Sequence, residues 1–327
     1  MKIRTKIFLT LLPILISIIA VGIGRMMISP IDIVKILLGD MSVDKASRLV
    51  VINMRIPRIF LALLAGAGLS VAGLSFQSLF SNPLATPDTV GVASGASFGA
   101  VLAILFSFNM LLTQFFSILV GVVAVFITWI IARSRHMNVS FLVLSGIMVG
   151  SVFNALISLV KYVADTDTKL PEITYWLMGN LGVSNYKNLQ IGAPIIIISI
   201  FFVYLMRWRL NLLSLTEEEI VSQGINVKML RVSIITLATM MTASIISMCG
   251  QVGWVGLIVP HICKMKIGNN HSKLVPFCIS IGASFMVVVD TIARSLIAKE
   301  IPISIITALV GAPFFIYLLQ DMKRRAV

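Results

Sequence analysis

The stretch LLTQFFSILVGVVAVFITWIIA, residues 111–132, decides the class of fold because it carries no charged side chain along its whole length. A helix rises about 1.5 Å per residue, so about 20 apolar residues are needed to cross the hydrocarbon core of a bilayer. The stretch meets that requirement. It therefore predicts a helix that spans a membrane.

The composition of the chain extends this conclusion to its full length of 327 residues. Hydrophobic residues make up 58% and charged residues only 12%, whereas soluble domains carry about 25% charged residues. No hydrophilic block has the size of a domain. The chain, residues 1–327, is therefore interpreted as one all-α integral membrane domain of about ten transmembrane helices. The predicted spans are 6–25, 57–80, 91–108, 111–132, 140–162, 191–207, 229–249, 252–268, 273–298 and 303–320.

Two places depart from simple membrane-crossing helices. Residues 163–190 are predicted to contain a short re-entrant or surface helix around Tyr175–Met178. The stretch GQVGWVGLIVPH, Gly250 to His261, interrupts a span with three glycines and a proline. A broken helix persists in a membrane only where protein or a water-filled cavity bonds the freed backbone. We therefore expect a functional or packed element at this break.

The net charge of +13 is interpreted through the tendency of basic residues to flank spans on the cytoplasmic side. It does not indicate a nucleic acid partner, because no basic run with interleaved aromatic residues is present. Lys2, Arg4 and Lys6 precede the first apolar run, and no clear signal-peptidase site follows it, so this run is predicted to be a first span that enters from the cytoplasm. With ten spans, the C-terminus is then predicted to be cytoplasmic as well. The stretch 25–58, predicted to lie outside, carries a cluster of basic residues that needs a separate cause: Lys35, Lys45, Arg48, Arg55 and Arg58.

Several chemical classes are disfavoured by absent motifs. No phosphate-binding Gly-x-x-x-x-Gly-Lys-[Ser/Thr] sequence occurs, and no Ser/His/Asp constellation stands out. Three cysteines and three scattered histidines predict neither a disulfide framework nor a metal site. The chain is therefore predicted to be neither an enzyme nor the holder of a cofactor or metal. The open alternatives are a transporter driven by another protein, an ion-coupled secondary transporter and a membrane scaffold.

The ion-coupled alternative requires ionisable residues in mid-span that act as relays. Asp290 is the nearest candidate. Arg294 follows it by four residues, however, and this spacing predicts a local ion pair on one helix face. Kinked, glycine-rich spans also argue against a scaffold without transport.

A soluble-looking stretch, SLTEEEIVSQGINV (Ser214–Val227), lies between the sixth and seventh predicted spans. Thr216 and Glu219 have the spacing of a capping box, and Gly224 stands where a left-handed residue would end a helix. The pattern predicts about two turns of helix in a cytoplasmic loop. Such a helix is either filler or a handle for a protein outside the membrane.

Small residues and outer arginines carry two further predictions. Gly91, Gly95 and Gly99 repeat every four residues, which favours close helix packing over a lining of a transport path. In the stretch RIPR, Arg55 and Arg58 begin a span at the outer face, and Arg294 lies at the outer end of another. The alternatives for these arginines are snorkelling at the interface and recognition of carboxylates on a partner.

Together these segments resemble one family, the FecCD-type permeases of ABC importers for iron-siderophore, haem and vitamin B12 complexes. The resemblance covers about residues 50–320 and rests on several motifs in a fixed order. These are RIPR, NPLATPDTVGVASGASFGA, LLSLTEEEIVSQGINV, GQVGWVGLIVPHICKMKIGNNH, VVVDTIAR and EIPISIITALVGAPFFIYLL.

The resemblance implies a vitamin B12 importer permease-like fold (type II ABC importer) of ten spans. It implies a second permease subunit, identical or a close paralogue, two ATPase subunits below and an extracytoplasmic substrate-binding protein above. The cargo would be an iron-siderophore complex, with haem or cobalamin as alternatives, crossing a bacterial cytoplasmic (inner) membrane. ATP hydrolysis would occur on the separate subunits.

The same resemblance assigns roles to particular positions. Arg55, Arg58 and Arg294 would meet glutamates on the binding protein. Asn138, Val139 and Ser140 would close a cytoplasmic gate. A coupling loop at about 208–228 would enter a groove on the ATPase, and its assigned residues are Leu213, Leu215, Thr216, Glu217, Glu218, Glu219 and Gly224.

Four positions depart from the common pattern of the family, and we expect them to tune the choice of partner. Thr86 replaces the usual acid of NPLADP. Thr216 and Glu219 replace the commoner glycine and alanine, and Lys264 stands where arginine is usual.

Overall fold

The computed structural model describes residues 3–133, 139–297 and 299–325, and the regular elements over those residues are helices. It is an all-helical membrane protein with ten main helices, as the sequence predicts. The main helices, numbered in chain order, are α1 (Ile3–Gly22), α4 (Ile56–Leu79), α5 (Val92–Leu105), α6 (Met110–Arg133), α7 (Val139–Val163), α9 (Tyr186–Leu205), α11 (Val227–Cys249), α12 (Val255–Ile267), α13 (His271–Ser295) and α14 (Ile303–Arg325).

Shorter helices connect the main ones. The connecting α-helices are α2 (Pro30–Leu37), α3 (Lys45–Leu49), α8 (Lys169–Leu177) and α10 (Glu217–Ser222). A π-helix covers Val50–Arg55, and 3₁₀ segments cover Pro87–Val90 and Met206–Ser214. Helix α8 confirms the short helix predicted around Tyr175–Met178.

Not every predicted span is long enough to cross a bilayer by itself. Seven helical stretches of the described residues have the length and composition for it, whereas α5 and the apolar part of α14 are shorter. Helix α12 has only 13 residues and carries Lys264 and Lys266 in its last turn. The segments predicted as 91–108 and 252–268 therefore each spend part of their length on non-helical backbone or turns.

Helix α4 forms the centre of the bundle. It packs against α9, α11, α12 and α13, and nearly every one of its residues is buried. A helix that is apolar on all sides is expected to be surrounded by protein or lipid. By contrast, only Leu9 and Ala20 of α1 are buried, so α1 leaves most of its apolar surface on the outside of the bundle.

The predicted small-residue face packs α5 against α6. A methyl group added at Gly95 would lie 2.5 Å from Cβ of Ala124, and one at Gly99 would lie 2.3 Å from the carbonyl oxygen of Phe116. Any larger residue would push the two helices apart. The packing interpretation of this face is therefore confirmed.

The predicted break between α11 and α12 is present. Helix α11 ends at Cys249, and the chain passes through Gly250 (φ +75°) and Trp254 (φ +69°) before α12 begins. The backbone N–H of Asn180 donates to the carbonyl oxygen of Cys249 at 2.8 Å. Protein groups thus bond part of the freed backbone, as a break at membrane depth requires.

Candidate functional site

The acidic stretch folds as predicted into the short helix α10. The backbone N–H of Thr216 donates to Glu219 Oε2 (2.8 Å), and the N–H of Glu219 donates to Thr216 Oγ1 (3.3 Å), which together form a capping box. Glu217, Glu218 and Glu219 occupy the first turn, where negative charge is favoured by the helix dipole. The start of α10 is therefore specified by local residues alone.

The end of α10 is equally well defined. Gly224 has φ +74°, the left-handed conformation in which glycine is favoured. Its N–H donates to the carbonyl of Val221 (2.9 Å), and the N–H of Ile225 donates to the carbonyl of Ile220 (3.4 Å). These two bonds form a Schellman motif. The helix thus begins and ends on its own signals, and its boundaries do not depend on a partner.

Anchors hold α10 against the bundle while its acidic face remains open. Ile220 is 2% exposed and Leu213 is 9% exposed, whereas Leu215 is 38% exposed. Glu217 Oε1 pairs with a terminal nitrogen of Arg231 in the first turns of α11 at 2.6 Å. An open cleft of about 580 Å³ lies between α10 and the start of α11. The residues assigned to coupling therefore lie in one segment, 213–224, in which Leu213 is buried and the three glutamates are exposed.

The three outer arginines also lie together, but they are buried. Arg55, Arg58 and Arg294 are 5%, 7% and 6% exposed. The sequence interpretations placed these side chains at the interface or within reach of a partner. The structure shows instead that all three side chains are buried, because each arginine has hydrogen-bond acceptors inside the chain.

Arg58 is the best satisfied of the three. Its Nε donates to Asp290 Oδ1 at 2.8 Å, and a terminal nitrogen donates to the two carboxylate oxygens of Glu300 at 2.9 and 3.0 Å. The predicted pair between Asp290 and Arg294 is present but longer, with 3.7 Å between Oδ2 and Nε. The Asp290 carboxylate is therefore closer to Arg58 of α4 than to Arg294 of its own helix, α13.

Arg55 and Arg294 bind backbone carbonyls at the end of α1. Arg55 donates to Val21 O (2.5 Å) and also to Met26 O. Arg294 donates to Ala20 O at 2.5 Å. The carbonyls at the C-terminal end of a helix lack intrahelical donors, and cations are favoured there. The cluster therefore joins the ends of α1, α4 and α13 to the loop that precedes α14.

The sequence interpretation missed Glu300 as the counter-ion of Arg58. The only sequence signal was the excess of basic residues in an outer loop, which calls for acidic partners without naming them. Glu300 is the most accessible member of the cluster, with 31% of its side chain exposed.

The predicted gate falls at the start of α7. Asn138 lies outside the described residues. Val139 is the first residue of α7, and Ser140 is exposed in its first turn. Whether these residues close a gate stays a prediction.

A cleft of about 350 Å³ borders the break between α11 and α12. Its walls mix apolar surface with neutral polar groups and one acid. Members of the lining that carry polar groups or ring surface are Thr86, Asp88, Thr242, Gln251, Trp254 and Ser304. Among the described residues, no group of three His, Cys, Asp or Glu side chains could hold a metal ion. The cleft therefore offers hydrogen bonds and van der Waals surface to a passing solute.

Comparison with known proteins identifies the class of transporter. Residues 11–321 match the model of the FecCD transport family. The chain is 39% identical to the molybdate import system permease protein MolB of Haemophilus influenzae, covering 97% of this chain and 95% of that one. It is 35% identical to the Fe(3+)-citrate import system permease protein YfmE of Bacillus subtilis, covering 98% and 95%.

A solved structure agrees with the sequence relatives. An ABC transporter assigned to the metal-chelate type, solved in an inward-facing conformation, superposes with a TM-score of 0.89 at 37% identity and covers 98% of this chain and 100% of that one. The match extends over the main helices and the short elements between them. The chain therefore belongs to the FecCD transport family and is a non-catalytic permease subunit of an ABC importer.

Proposed function

We propose that this permease carries an iron-siderophore complex into a bacterial cytoplasm across the inner membrane, driven by ATP hydrolysis on separate subunits. The observation that carries the proposal is α10. It is a self-capped, acidic helix that is anchored by Ile220 and the Glu217–Arg231 pair and left open on its outer face. A rigid exposed helix on a passive membrane domain is suited to receive force from another protein.

The iron-chelate cargo is supported by relatives and by the cleft. The name of the Bacillus subtilis relative specifies Fe(3+)-citrate, and the solved relative is assigned to the metal-chelate type. The cleft beside the helix break has mostly neutral polar and apolar walls. Such walls suit a bulky chelate better than walls that carry several fixed charges would. Haem and cobalamin complexes share these surface properties and remain alternatives within the proposal.

Molybdate is a second candidate cargo. It is favoured by the 39% identity to the Haemophilus influenzae permease, whose name specifies molybdate import. Asp88 in the wall of the cleft repels any anion, and it repels a small bare oxyanion more strongly than a bulky chelate whose charge is spread over a larger surface.

The proposal includes the assembly and its orientation. A second permease subunit, identical or a close paralogue, would complete the pathway between the two copies, and the whole chain would act as one membrane domain. Two ATPase subunits would bind α10 from the cytoplasm, where both termini would also lie. An extracytoplasmic binding protein would deliver cargo at the opposite end, and Asn138, Val139 and Ser140 would close the cytoplasmic gate.

Docking of the binding protein at the arginine cluster needs a rearrangement. Arg55, Arg58 and Arg294 would meet carboxylates on that protein, yet their side chains are now bonded within the chain. Glu300 is the accessible partner of Arg58. A docking carboxylate would therefore replace Glu300 rather than fill an empty site.

The ion-coupled alternative is not favoured by the contacts of Asp290. Its carboxylate is fully buried and accepts a hydrogen bond from Arg58 Nε at 2.8 Å, so it is held in an ion pair within the chain, whereas a relay group must be reachable by the coupled ion.

Uptake into sealed vesicles tests the proposed function. The permease would be reconstituted with a candidate ATPase and binding protein and supplied with ATP and radiolabelled iron bound to a siderophore. Parallel samples would contain haem, cobalamin or molybdate. We expect ATP-dependent uptake of the iron chelate. Uptake of molybdate alone would overturn the cargo, and uptake without any ATPase would overturn the mechanism.

A variant of α10 tests the coupling role in the same system. Replacing Glu217, Glu218 and Glu219 by alanine together with Gly224→Ala should abolish permease-dependent stimulation of ATP hydrolysis while the bundle stays folded. Unchanged stimulation would contradict the role assigned to α10.

A further inference from the structure

A chain of polar side chains links the coupling loop to the core of the bundle and has no part in the function described so far. It runs from Asn211, in the 3₁₀ segment just before α10, through His271 at the start of α13, to Ser78 in the last turn of α4. His271 is 5% exposed and Ser78 is 9% exposed. Polar groups buried at such a junction must be bonded to be tolerated.

Asn211 caps α13 from another element. The backbone N–H of His271 donates to Asn211 Oδ1 at 2.8 Å. The first N–H groups of a helix have no intrahelical partner, and the side chain of Asn270, the residue before α13, bonds the N–H of Ser272 instead. Asn211 therefore holds the start of α13 across 60 residues of sequence.

The same contacts fix the state of the His271 ring. Oδ1 of Asn211 is oriented by a backbone donor, and the ring Nδ1 lies 3.1 Å from that oxygen. Nδ1 must therefore carry a proton and donate. In the neutral ring Nε2 is then an acceptor for the hydroxyl of Ser78, which lies 2.5 Å from Nε2 and 2.8 Å from a second acceptor, the carbonyl oxygen of Leu74 in α4. The ring thus forms a directional bridge from the coupling loop to α4.

Hydrogen bonds of the last turn of α4 extend this network to α12. Lys264 of α12 donates to Gln77 Oε1 at 2.8 Å, and Gln77 Nε2 lies 3.3 Å from the carbonyl oxygen of Gly256. Gln77 is 2% exposed and directly precedes Ser78. Helices α4, α12 and α13 are therefore held together beside the attachment point of the coupling loop.

We propose that Asn211 is a positioning residue that transmits motion of the coupling loop to α13 and α4 through His271 and Ser78. The proposal rests on the proposed function, in which an ATPase moves α10. Leu210 and Leu213 flank Asn211 and are buried, so the 3₁₀ segment is seated in the bundle. Apolar contacts resist separation without fixing direction, whereas the bonds of Asn211 fix the orientation of α13 relative to the loop.

The test measures movement of α13 in the assembled transporter. A spin label at Leu296→Cys, 63% exposed at the far end of α13, reports the distance between two permease copies with and without ATP and vanadate. ATP hydrolysis is measured on the same samples. The variants are Asn211→Leu, which removes the acceptor, and Asn211→Asp, which keeps it. Asn185→Ala is the matched control, because Asn185 also accepts from a first-turn N–H but only at the start of its own helix α9, from Asn188 (2.8 Å).

In the labelled protein with Asn211 unchanged, ATP should shift the distance between the two spin labels. With Asn211→Leu the ratio of shifted to unshifted molecules should fall about fivefold or more, while ATP hydrolysis continues. Asn211→Asp and Asn185→Ala should retain the shift. Ser78→Ala leaves the cap on α13 intact and should show a smaller reduction in the ratio of shifted to unshifted molecules. It replaces Asn211→Leu as the test if that variant does not assemble.

The outcomes separate this inference from the proposed function. A full shift in both Asn211→Leu and Ser78→Ala overturns the transmission role. A reduction in Asn185→Ala as large as in Asn211→Leu also overturns it, because any lost cap would then suffice. If the label shows no ATP-dependent shift before Asn211 is changed, ATP-driven movement fails and the inference fails with it.

Discussion

The two ends of the bundle differ in where their charged side chains lie, exposed at one end and buried at the other. Helix α10 holds three glutamates in an exposed first turn, defined by its own caps. The arginine cluster at the other end holds Arg58 and Asp290 in the interior, bonded across 232 residues of sequence. Both regions were assigned to partner contacts by the family resemblance, whereas residue type and position alone left other interpretations open. The comparison shows that residue type predicts where charge gathers, but not whether it is offered to a partner.

The energetic weight of the two regions differs accordingly. Exposed pairs in water contribute between zero and about 1 kcal/mol. Breaking a buried pair leaves an uncompensated charge and costs about 3–5 kcal/mol. We therefore expect substitutions in the arginine cluster to act on folding and substitutions in α10 to act on coupling. The predictions below test that division.

The largest effect is expected from Asp290→Ala. It removes the carboxylate bonded by Arg58 and leaves Arg294 without a nearby acidic group other than Glu300. The free energy of unfolding should fall by about 3–5 kcal/mol, measured by thermal or chemical unfolding of the detergent-solubilised chain. The double variant Arg58→Met with Asp290→Leu should recover part of the loss. An unfolding midpoint equal to that of the original chain would show that the cluster is not structural.

A smaller effect is expected from Glu300→Gln. Glutamine keeps one acceptor for Arg58 but loses the charge, so stability should fall by about 1–3 kcal/mol. If a docking carboxylate competes with Glu300, the same variant should bind the substrate-binding protein more tightly, measured as a lower Kd. Weaker binding would mean that Glu300 aids docking and that the competition is wrong.

Thr216→Ala should weaken only α10. Loss of its capping oxygen costs about 1 kcal/mol of local helix stability, while the unfolding midpoint of the bundle should stay unchanged. Stimulation of ATP hydrolysis in the assembled transporter should decrease. Ser222→Ala is the matched control, because its hydroxyl donates to the carbonyl of Glu219 within the same helix and provides no cap at the start. Equal losses in both variants would contradict the role of the cap.

The smallest effect is expected from Glu172→Ala on α8. Its pair with Lys169 is 3.1 Å long, and 55% of the Glu172 side chain is exposed. Stability should change by no more than about 0.5 kcal/mol, and the difference should shrink further in high salt. A loss approaching that of Asp290→Ala would remove the distinction between exposed and buried pairs.

The sequence predicted the parts of the molecule that depend on neighbours along the chain. The capping box needs only Thr216 and Glu219, three residues apart, and the end of α10 needs only Gly224. The main helices follow from apolar runs, and the break after α11 follows from Gly250 and its neighbouring glycines. In each case the physical cause lies within one or two helical turns of the residue concerned.

The parts that sequence reasoning missed depend on residues far apart. Nothing near Arg58 indicates that Glu300 would neutralise it, because the pairing requires α4, α13 and α14 to pack first. The bond from His271 to Asn211 has the same character. A single sequence lists donors and acceptors, but packing decides which of them meet.

The pairing of Arg58 has a consequence for synthesis of the protein. Its partners Asp290 and Glu300 follow 232 and 242 residues later. At about 5–20 residues per second, this interval amounts to roughly 10–50 s. During that time the nascent chain holds an arginine at the start of α4 with neither carboxylate yet made. We expect a translocon or insertase to shelter it, and a chain truncated before Asp290 should be recognised by membrane proteases as incomplete.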